Sequence, residues 1–498
     1  MQNVERKTQN ENPLTQFCIL RSHFCISRFS ATIGPMNEAK PNPYESPREV
    51  NPPSAGLESA PGPRSTRPVT RGELVAWALC DWANSAYSTL SITLLVFYLE
   101  DFVLPAKNPL VIAGVDITGT RVWGWGLGIS MLCAAWLSPI LGAMADARAS
   151  KWKWLVGTSL PGAAFATAIA LLPTSQPVAI CLLFFVTSLC FELSFGFYNG
   201  FLPELADEAS MNRISGFGFA AGYLGGGVAL AVALGVASLG PQIGLDTGEL
   251  RLRAGLIVMG VWWGLFTLPA AFMLRDRALP RSGQQSFGST AQTALREVWH
   301  TLNNVRAYSV LSLFLLGFLV YNEGIQTVMS QASVFAKRPP LSMEPSELIL
   351  VVLMIQFVAF PAALGVGWVS DRIGPKTTLL VCLAIWCGLL VAGYFVANKT
   401  QFWIMGVVLS LVMGGTQSVS RAIMGAMTPA AKTAEFFGFF NLSCRATSMV
   451  GPILFTEVLQ RTGKANIAIL SLLGFIVLGM VIISLVNLPR GMQQAKVG

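Results

Sequence analysis

The chemistry in this sequence is concentrated at Asp81. It lies in Trp77-Ala-Leu-Cys-Asp-Trp-Ala-Asn-Ser-Ala-Tyr87, and no Lys or Arg occurs between Trp77 and Asp101. A carboxylate in so apolar a run is costly unless it faces a cavity or a partner, where it can take a cationic group or carry a proton. On a 3.6-residue period Asp81, Asn84, Ser85, Ser88 and Ser91 fall on one stripe, while Trp82, Ala86, Leu90 and Thr93 point elsewhere. A capping or helix-pairing aspartate is the structural alternative, but it needs one polar partner rather than a stripe. Other charges inside apolar runs are few: Glu192, Glu323, Arg421, Arg445 and Glu457. They keep polar company at helical spacing, as in Ser188, Glu192 and Asn199, in Glu323, Gln326, Thr327 and Ser330, and in Gln417, Ser420 and Arg421. Asp81 is followed at +3 by Asn84, and Glu323 at +3 by Gln326. Asp81, Glu192 and Glu323 are candidates for a coupling proton or a substrate's cationic group. Arg421 and Arg445 can hold a carboxylate through two parallel hydrogen bonds. A zwitterionic solute suits such a mixed-sign cavity.

Composition sets the elements that must position these groups. Of 498 residues, 53% are hydrophobic and 12% charged, with mean hydropathy +0.56. Soluble domains carry about 25% charged residues, so the chain is expected to be an all-α, multi-pass membrane protein in a lipid bilayer. Twelve segments are long enough to cross the hydrocarbon: 75–99, 122–145, 154–172, 177–201, 214–238, 254–274, 307–334, 348–369, 377–397, 402–427, 436–459 and 466–488. Residues 1–70 are rich in Pro, Asn, Ser and Glu and read as a disordered cytoplasmic tail, with Met36 a second plausible start. A polar connector at 275–306, carrying five arginines, separates an N-terminal six-helix half at 71–274 from a C-terminal half at 307–498. The positive-inside rule places that connector and the Arg148, Lys151, Lys153 loop in the cytoplasm. Twelve spans then leave both termini there, at the inner membrane if the source is bacterial. The formal +8 charge follows from this topology and calls for no nucleic-acid partner.

Several functional classes are disfavoured. The two histidines, His23 and His300, lie outside the spans, and the nine cysteines fit no metal or disulfide spacing. No phosphate-cradling loop is present, so neither an embedded enzyme nor a primary pump is expected, and no cofactor or metal is called for. A membrane sensor or lipid flippase is the alternative to solute transport.

The two halves echo one another. Gly142-Ala-Met-Ala-Asp146-Ala-Arg148 follows the second span, and Gly367-Trp-Val-Ser-Asp371-Arg372 follows the eighth. Glycine lets helices approach, while Asp and Arg cap or bridge neighbouring helix ends, as a gate requires. Twelve spans in two halves, with this turn after spans 2 and 8, resemble the major facilitator superfamily, in which helices 1, 4, 7 and 10 line the central cavity.

More narrowly, the chain is similar to the vacuole effluxer family, which contains fungal vacuolar amino-acid exporters. The matching stretches are Cys80–Tyr87, Gly200–Ala206, Arg213–Gly218 with Gly222–Gly226, Gly414–Arg421 and Glu435–Asn441. Glu323 and Gln326 depart from the aspartate and asparagine expected of that family. The resemblance implies a secondary transporter. Alternating access between the two halves is the expected mechanism, the mixed-sign cavity suits an amino acid as cargo, and the buried acids suit a proton as coupling ion.

Overall fold

The computed structural model describes residues 67–277 except 113, six positions between 292 and 299, and residues 308–445 and 450–497. The tail expected to be disordered and most of the connector lie outside these residues. Ten long helices come first: α1 (Arg71–Val103), α2 (Gly119–Arg148), α3 (Lys151–Leu171), α4 (Pro177–Gly200), α5 (Met211–Leu239), α6 (Gly248–Met273), α7 (Ser309–Lys337), α8 (Pro345–Ile373), α9 (Pro375–Phe395) and α10 (Lys399–Ala426). Then come α11 (Thr433–Arg445), α12 (Val450–Thr462), α13 (Ala465–Ser471), α14 (Leu473–Leu485) and α15 (Leu488–Val497). Eleven stretches among the described residues are long and apolar enough to span a bilayer, α13 and α14 together forming the last. Of the span expected at 436–459, α11 and α12 cover all but 446–449, which lie outside the described residues.

Local sequence accounts for where these helices start. Thr70 and Glu73 form a capping box on α1: the Thr70 hydroxyl accepts from the Glu73 N–H at 3.2 Å, and the Glu73 carboxylate accepts from the Thr70 N–H at 3.0 Å. Thr118, Thr247 and Asn398 cap α2, α6 and α10, each side chain accepting from the N–H three residues on. Proline opens α4, α8 and α9, where its missing N–H leaves nothing unsatisfied. The helix α1 widens into π-helical turns at Ser91–Leu95 and Leu99–Val103. Beyond it the sequence reading missed a hairpin, in which β1 (Leu110–Ile112) pairs antiparallel with β2 (Val115–Ile117) and Gly114 turns the corner at φ +78°.

Each half has an apolar core of its own. In the first half Leu90, Leu95, Phe184, Leu230 and Trp263 pack together; in the second, Phe314, Leu383, Trp386, Phe437 and Ile476 do so. Lipid-exposed positions such as Leu182, Phe272, Phe395 and Leu485 remain apolar, as a bilayer solvent requires. The seam between the halves mixes apolar contacts, such as Ala422 and Ala434 in one cluster with Leu74 and Met211, with buried charge pairs. It is closed at the face where α1 begins, here called proximal, which also carries the ends of α2, α4, α8 and α10 and the starts of α3, α5 and α11.

Candidate functional site

The packing of α5 brings the site together. A Cβ on Gly222 would lie 3.0 Å from the Asp81 carboxylate and 2.8 Å from the Ser85 hydroxyl, so only glycine lets α5 sit this close to α1. The buried Asp81 accepts a hydrogen bond from the Tyr198 hydroxyl of α4 at 3.0 Å, and its Oδ2 lies 3.7 Å from Nη1 of Arg421. Arg421 is 0% exposed, although its helix belongs to the other half. Its guanidinium donates to the Asn199 side-chain oxygen at 3.1 Å, the Ser215 hydroxyl at 3.0 Å and the Ser215 carbonyl at 2.7 Å. Three rings close around it, with Phe219 at 4.0 Å, Trp77 at 5.1 Å and Tyr198 at 5.3 Å from the guanidinium carbon. Trp77 stacks on Tyr198 at 4.8 Å and donates its indole N–H to the Tyr198 carbonyl, which fixes both rings.

One turn along α1 the Asn84 side chain is 2% exposed, and among the described residues its amide nitrogen has no hydrogen-bond partner. Ser88 and Ile92 on the same helix face are exposed, so the stripe passes from a buried charge to open space. Gln417 is half-buried and accepts from the Tyr223 hydroxyl at 3.2 Å. Tyr321 and Ser420 share a bond of 2.6 Å that ties α7 to α10. Glu192 is buried on α4, and its carbonyl accepts from the Asn441 amide of α11 at 3.1 Å.

Glu323 is buried, and its carboxylate accepts from the backbone N–H of Gly451 in α12 at 2.7 Å. That bond ties α7 to α12. Gln326 is half-buried one turn away. Arg445 ends α11, and its side chain lies outside the described residues.

The two repeated turns serve as paired closures, each across to the opposite half. Asp146 is buried at the end of α2 and accepts from the Glu435 N–H at 2.9 Å, so it caps α11. Gly142 permits this, since a Cβ there would lie 2.4 Å from the Ala434 carbonyl; Gly438 of α11 likewise meets the Pro139 backbone at 2.7 Å. At the end of α8, Asp371 pairs with Arg213 at 2.8 Å and accepts from the Asn212 amide at 3.3 Å, both in the first turn of α5. Gly367 faces the Asn212 carbonyl there.

The basic residues of the two turns sit in different settings. Arg148 is half-buried at the end of α2, while Lys151, 0% exposed, supplies the charge beside Asp146 at 3.3 Å. Lys151 also pairs with Glu204 and donates to Thr433 at 2.5 Å. Arg372 lies over the Trp368 ring at 3.5 Å rather than bridging to Asp371. Lys151, Glu204 and Glu435 were present in the sequence as loop charges and motif flanks, and only their burial marks them out. Asp276, just past α6, accepts from the Trp152 N–H at 3.3 Å. Burial pushes its carboxyl up to about 6; Lys151 opposes the rise and Glu204 adds to it.

Comparisons with known proteins agree with this architecture. The sequence profile of the family described as "Vacuole effluxer Atg22 like" matches residues 69–496. An uncharacterised MFS-type transporter of Bacillus subtilis (strain 168), YxiO, is 29% identical over 413 residues, which are 82% of this chain and 94% of that protein. Autophagy-related protein 22-1 of Neosartorya fischeri is 29% identical over 307 residues, 57% of this chain and 49% of its relative, so the match spans about half of that fungal protein. Among solved structures, the proton:xylose symporter XylE bound to 6-bromo-6-deoxy-D-glucose superposes with TM-score 0.62 at 13% identity, covering 82% of this chain and 94% of that one. The transporter FucP, in the outward conformation, superposes with TM-score 0.61 at 12% identity, covering 83% and 97%. Family and fold are those of multi-pass membrane transporters rather than enzymes. The chain belongs to the Atg22-like vacuole effluxer family of the major facilitator superfamily.

Proposed function

We propose that this protein moves a small zwitterionic solute, an amino acid, across its membrane by alternating access coupled to proton movement. The observation that carries the reading is the buried Asp81–Arg421 pair, whose partners sit on opposite halves. A charge pair across a seam opposes parting of the halves at the proximal face, and that parting must be matched by a replacement for the lost partner. The solute site assigned beside it uses the Asn84 amide, Gln417 and Gln326 for polar contacts, and the carboxylates of Asp81, Glu192 and Glu323 for a proton or an ammonium group; Arg445 enters from the sequence as a partner for a carboxylate. The gate residues Gly142, Asp146, Arg148, Gly367, Asp371 and Arg372 lie at or next to contacts that rocking must break. Exposed Arg71, Lys153 and Arg275 at the proximal face support its assignment to the cytoplasm.

The test is uptake of external isotopic amino acids by proteoliposomes, with and without an imposed pH gradient. Asp81→Asn is expected to fold and insert, to keep exchange, and to lose concentrative transport. Undiminished concentrative transport by that variant would remove Asp81 from the mechanism. Saturable binding with no flux of any solute would identify a sensor instead.

A further inference from the structure

We propose that the pocket of the first half now filled by Arg421 is a recognition subsite for a substrate's cationic group, guanidinium or ammonium, and that Arg421 is its tethered competitor. The proposal rests on the alternating-access reading above and adds to it the chemical class of the group recognised. Every group that receives Arg421 comes from α1, α4 or α5, whereas Arg421 itself comes from α10 of the other half. The pocket presents the Asp81 carboxylate, the Asn199 side-chain oxygen, and the hydroxyl and carbonyl of Ser215. It is walled by Phe219, Trp77 and Tyr198 at 4.0, 5.1 and 5.3 Å. A carboxylate, neutral oxygen acceptors and three ring faces form a cage for a donor-rich cation. A carboxylate-bearing or purely apolar group would find only repulsion or unpaired acceptors there.

The cage is a unit that can survive departure of the plug. Trp77 and Tyr198 are stacked and bonded to each other, Tyr198 donates to Asp81, and Gly222 holds α5 against that same carboxylate. When the halves part at the proximal face, α10 withdraws Arg421 and leaves Asp81 buried without its cation, a state that demands a replacement. A ligand's ammonium or guanidinium meets that demand. Closing the same face returns Arg421 to the cage and displaces the ligand toward the other side. One cage thus serves two mutually exclusive cations, and ligand occupancy is tied to the position of the gate.

The experiment uses the purified full chain in detergent, with methylguanidinium and methylammonium chloride as probes, and sodium chloride and N-methylurea as controls. Melting temperature and Trp fluorescence are followed. Arg421→Ala is expected to show a saturable rise in melting temperature with the cationic probes at concentrations at least tenfold below any response of the wild type. Combining it with Asp81→Asn should abolish the rise. Gly142→Leu provides a second route: it opposes the close approach of α2 and α11 that the closed face needs, and so favours the parted state in which Arg421 leaves the cage; it should gain the same response. Equal responses in wild type and variants, or none in either variant, would overturn the proposal. Flux is measured separately. Saturable probe binding without transport of any cationic or zwitterionic solute would sink the transporter reading and leave the cage standing. Transport that proceeds while neither variant responds to the probes would sink the cage and leave the transporter.

Discussion

Among single residues, Lys151 carries a structural burden out of proportion to its appearance in the sequence. Its ammonium is 0% exposed and is held by Asp146, Glu204 and Thr433. Removing one member of a buried ion network leaves the others uncompensated, at about 3–5 kcal/mol. Lys151→Ala should therefore lower the thermal midpoint in detergent by several degrees, and Arg148→Ala by much less; equal losses would contradict the assignment. Asp276 supplies a pH test. Its raised carboxyl favours the protonated folded form, so its contribution to stability is present below 3.8 and is lost as pH rises through about 6. Asp276→Asn should flatten the fall in melting temperature over that interval relative to wild type. A parallel pH profile in the variant would show that Asp276 titrates normally. The buried acids on α1, α4 and α7 were legible in the sequence because a charge in an apolar run announces itself. Their partners were not. Asp81 and Arg421 are 340 positions apart (421 − 81), and no local spacing encodes a contact between halves. Lys151 looked like a loop charge because it follows Arg148 by three residues, and only Glu204 and Asp146 closing over it make it a buried one.

Among elements, Glu323 of α7 reaches across to α12, its carboxylate accepting from the N–H of Gly451. Glu323→Gln keeps an oxygen acceptor and should cost under about 1 kcal/mol. Glu323→Ala leaves the N–H unmet and should cost about 1–3 kcal/mol. The melting temperatures of the two variants order these outcomes; identical losses would show that this bond does not hold the two helices together. The helical period revealed the spans well, since long apolar runs with Thr, Asn or Pro at their starts are strong local signals. It missed the hairpin at Leu110–Ile117, because three-residue strands fall beneath any count of long apolar segments.

For the whole molecule, the contacts at the proximal face are the reason the two halves form one closed end. Asp146 with α11 and Asp371 with α5 are parallel contacts, each acid at the start of a helix of the opposite half; Asp146 caps α11 through the Glu435 N–H, and Asp371 binds the Asn212 and Arg213 side chains of α5. The first is buried and carries Lys151; the second is partly exposed and carries Arg213, itself half-exposed at 51%. The exposed pair should thus weaken with salt while the buried one does not. Topology is checked with reporter fusions. Fusions at Ser286 and after Gly498 should report the cytoplasm, and one at Ser175 the opposite side. A fusion at Ser286 reporting the outside would reverse the assignment of the proximal face.

The π-helical turns of α1 have a consequence for how this helix tolerates changes in length. Each such turn holds one residue more than the α repeat allows, so the chain beyond it is rotated by about 100° relative to an unbroken helix. The stripe bearing Asp81, Asn84 and Ser88 ends as the first widened turn, Ser91–Leu95, begins. Beyond it Tyr98 and Leu99 are fully buried in the first half's core, and Arg253 of α6 donates to the Tyr98 hydroxyl at 3.2 Å. The wide turns act as register adjusters, letting one continuous helix present a polar wall at one depth and an apolar seat at another. A lost or gained residue there can be absorbed by tightening or widening a turn. The same change near Asp81 would swing the carboxylate away from Tyr198 and Arg421 altogether.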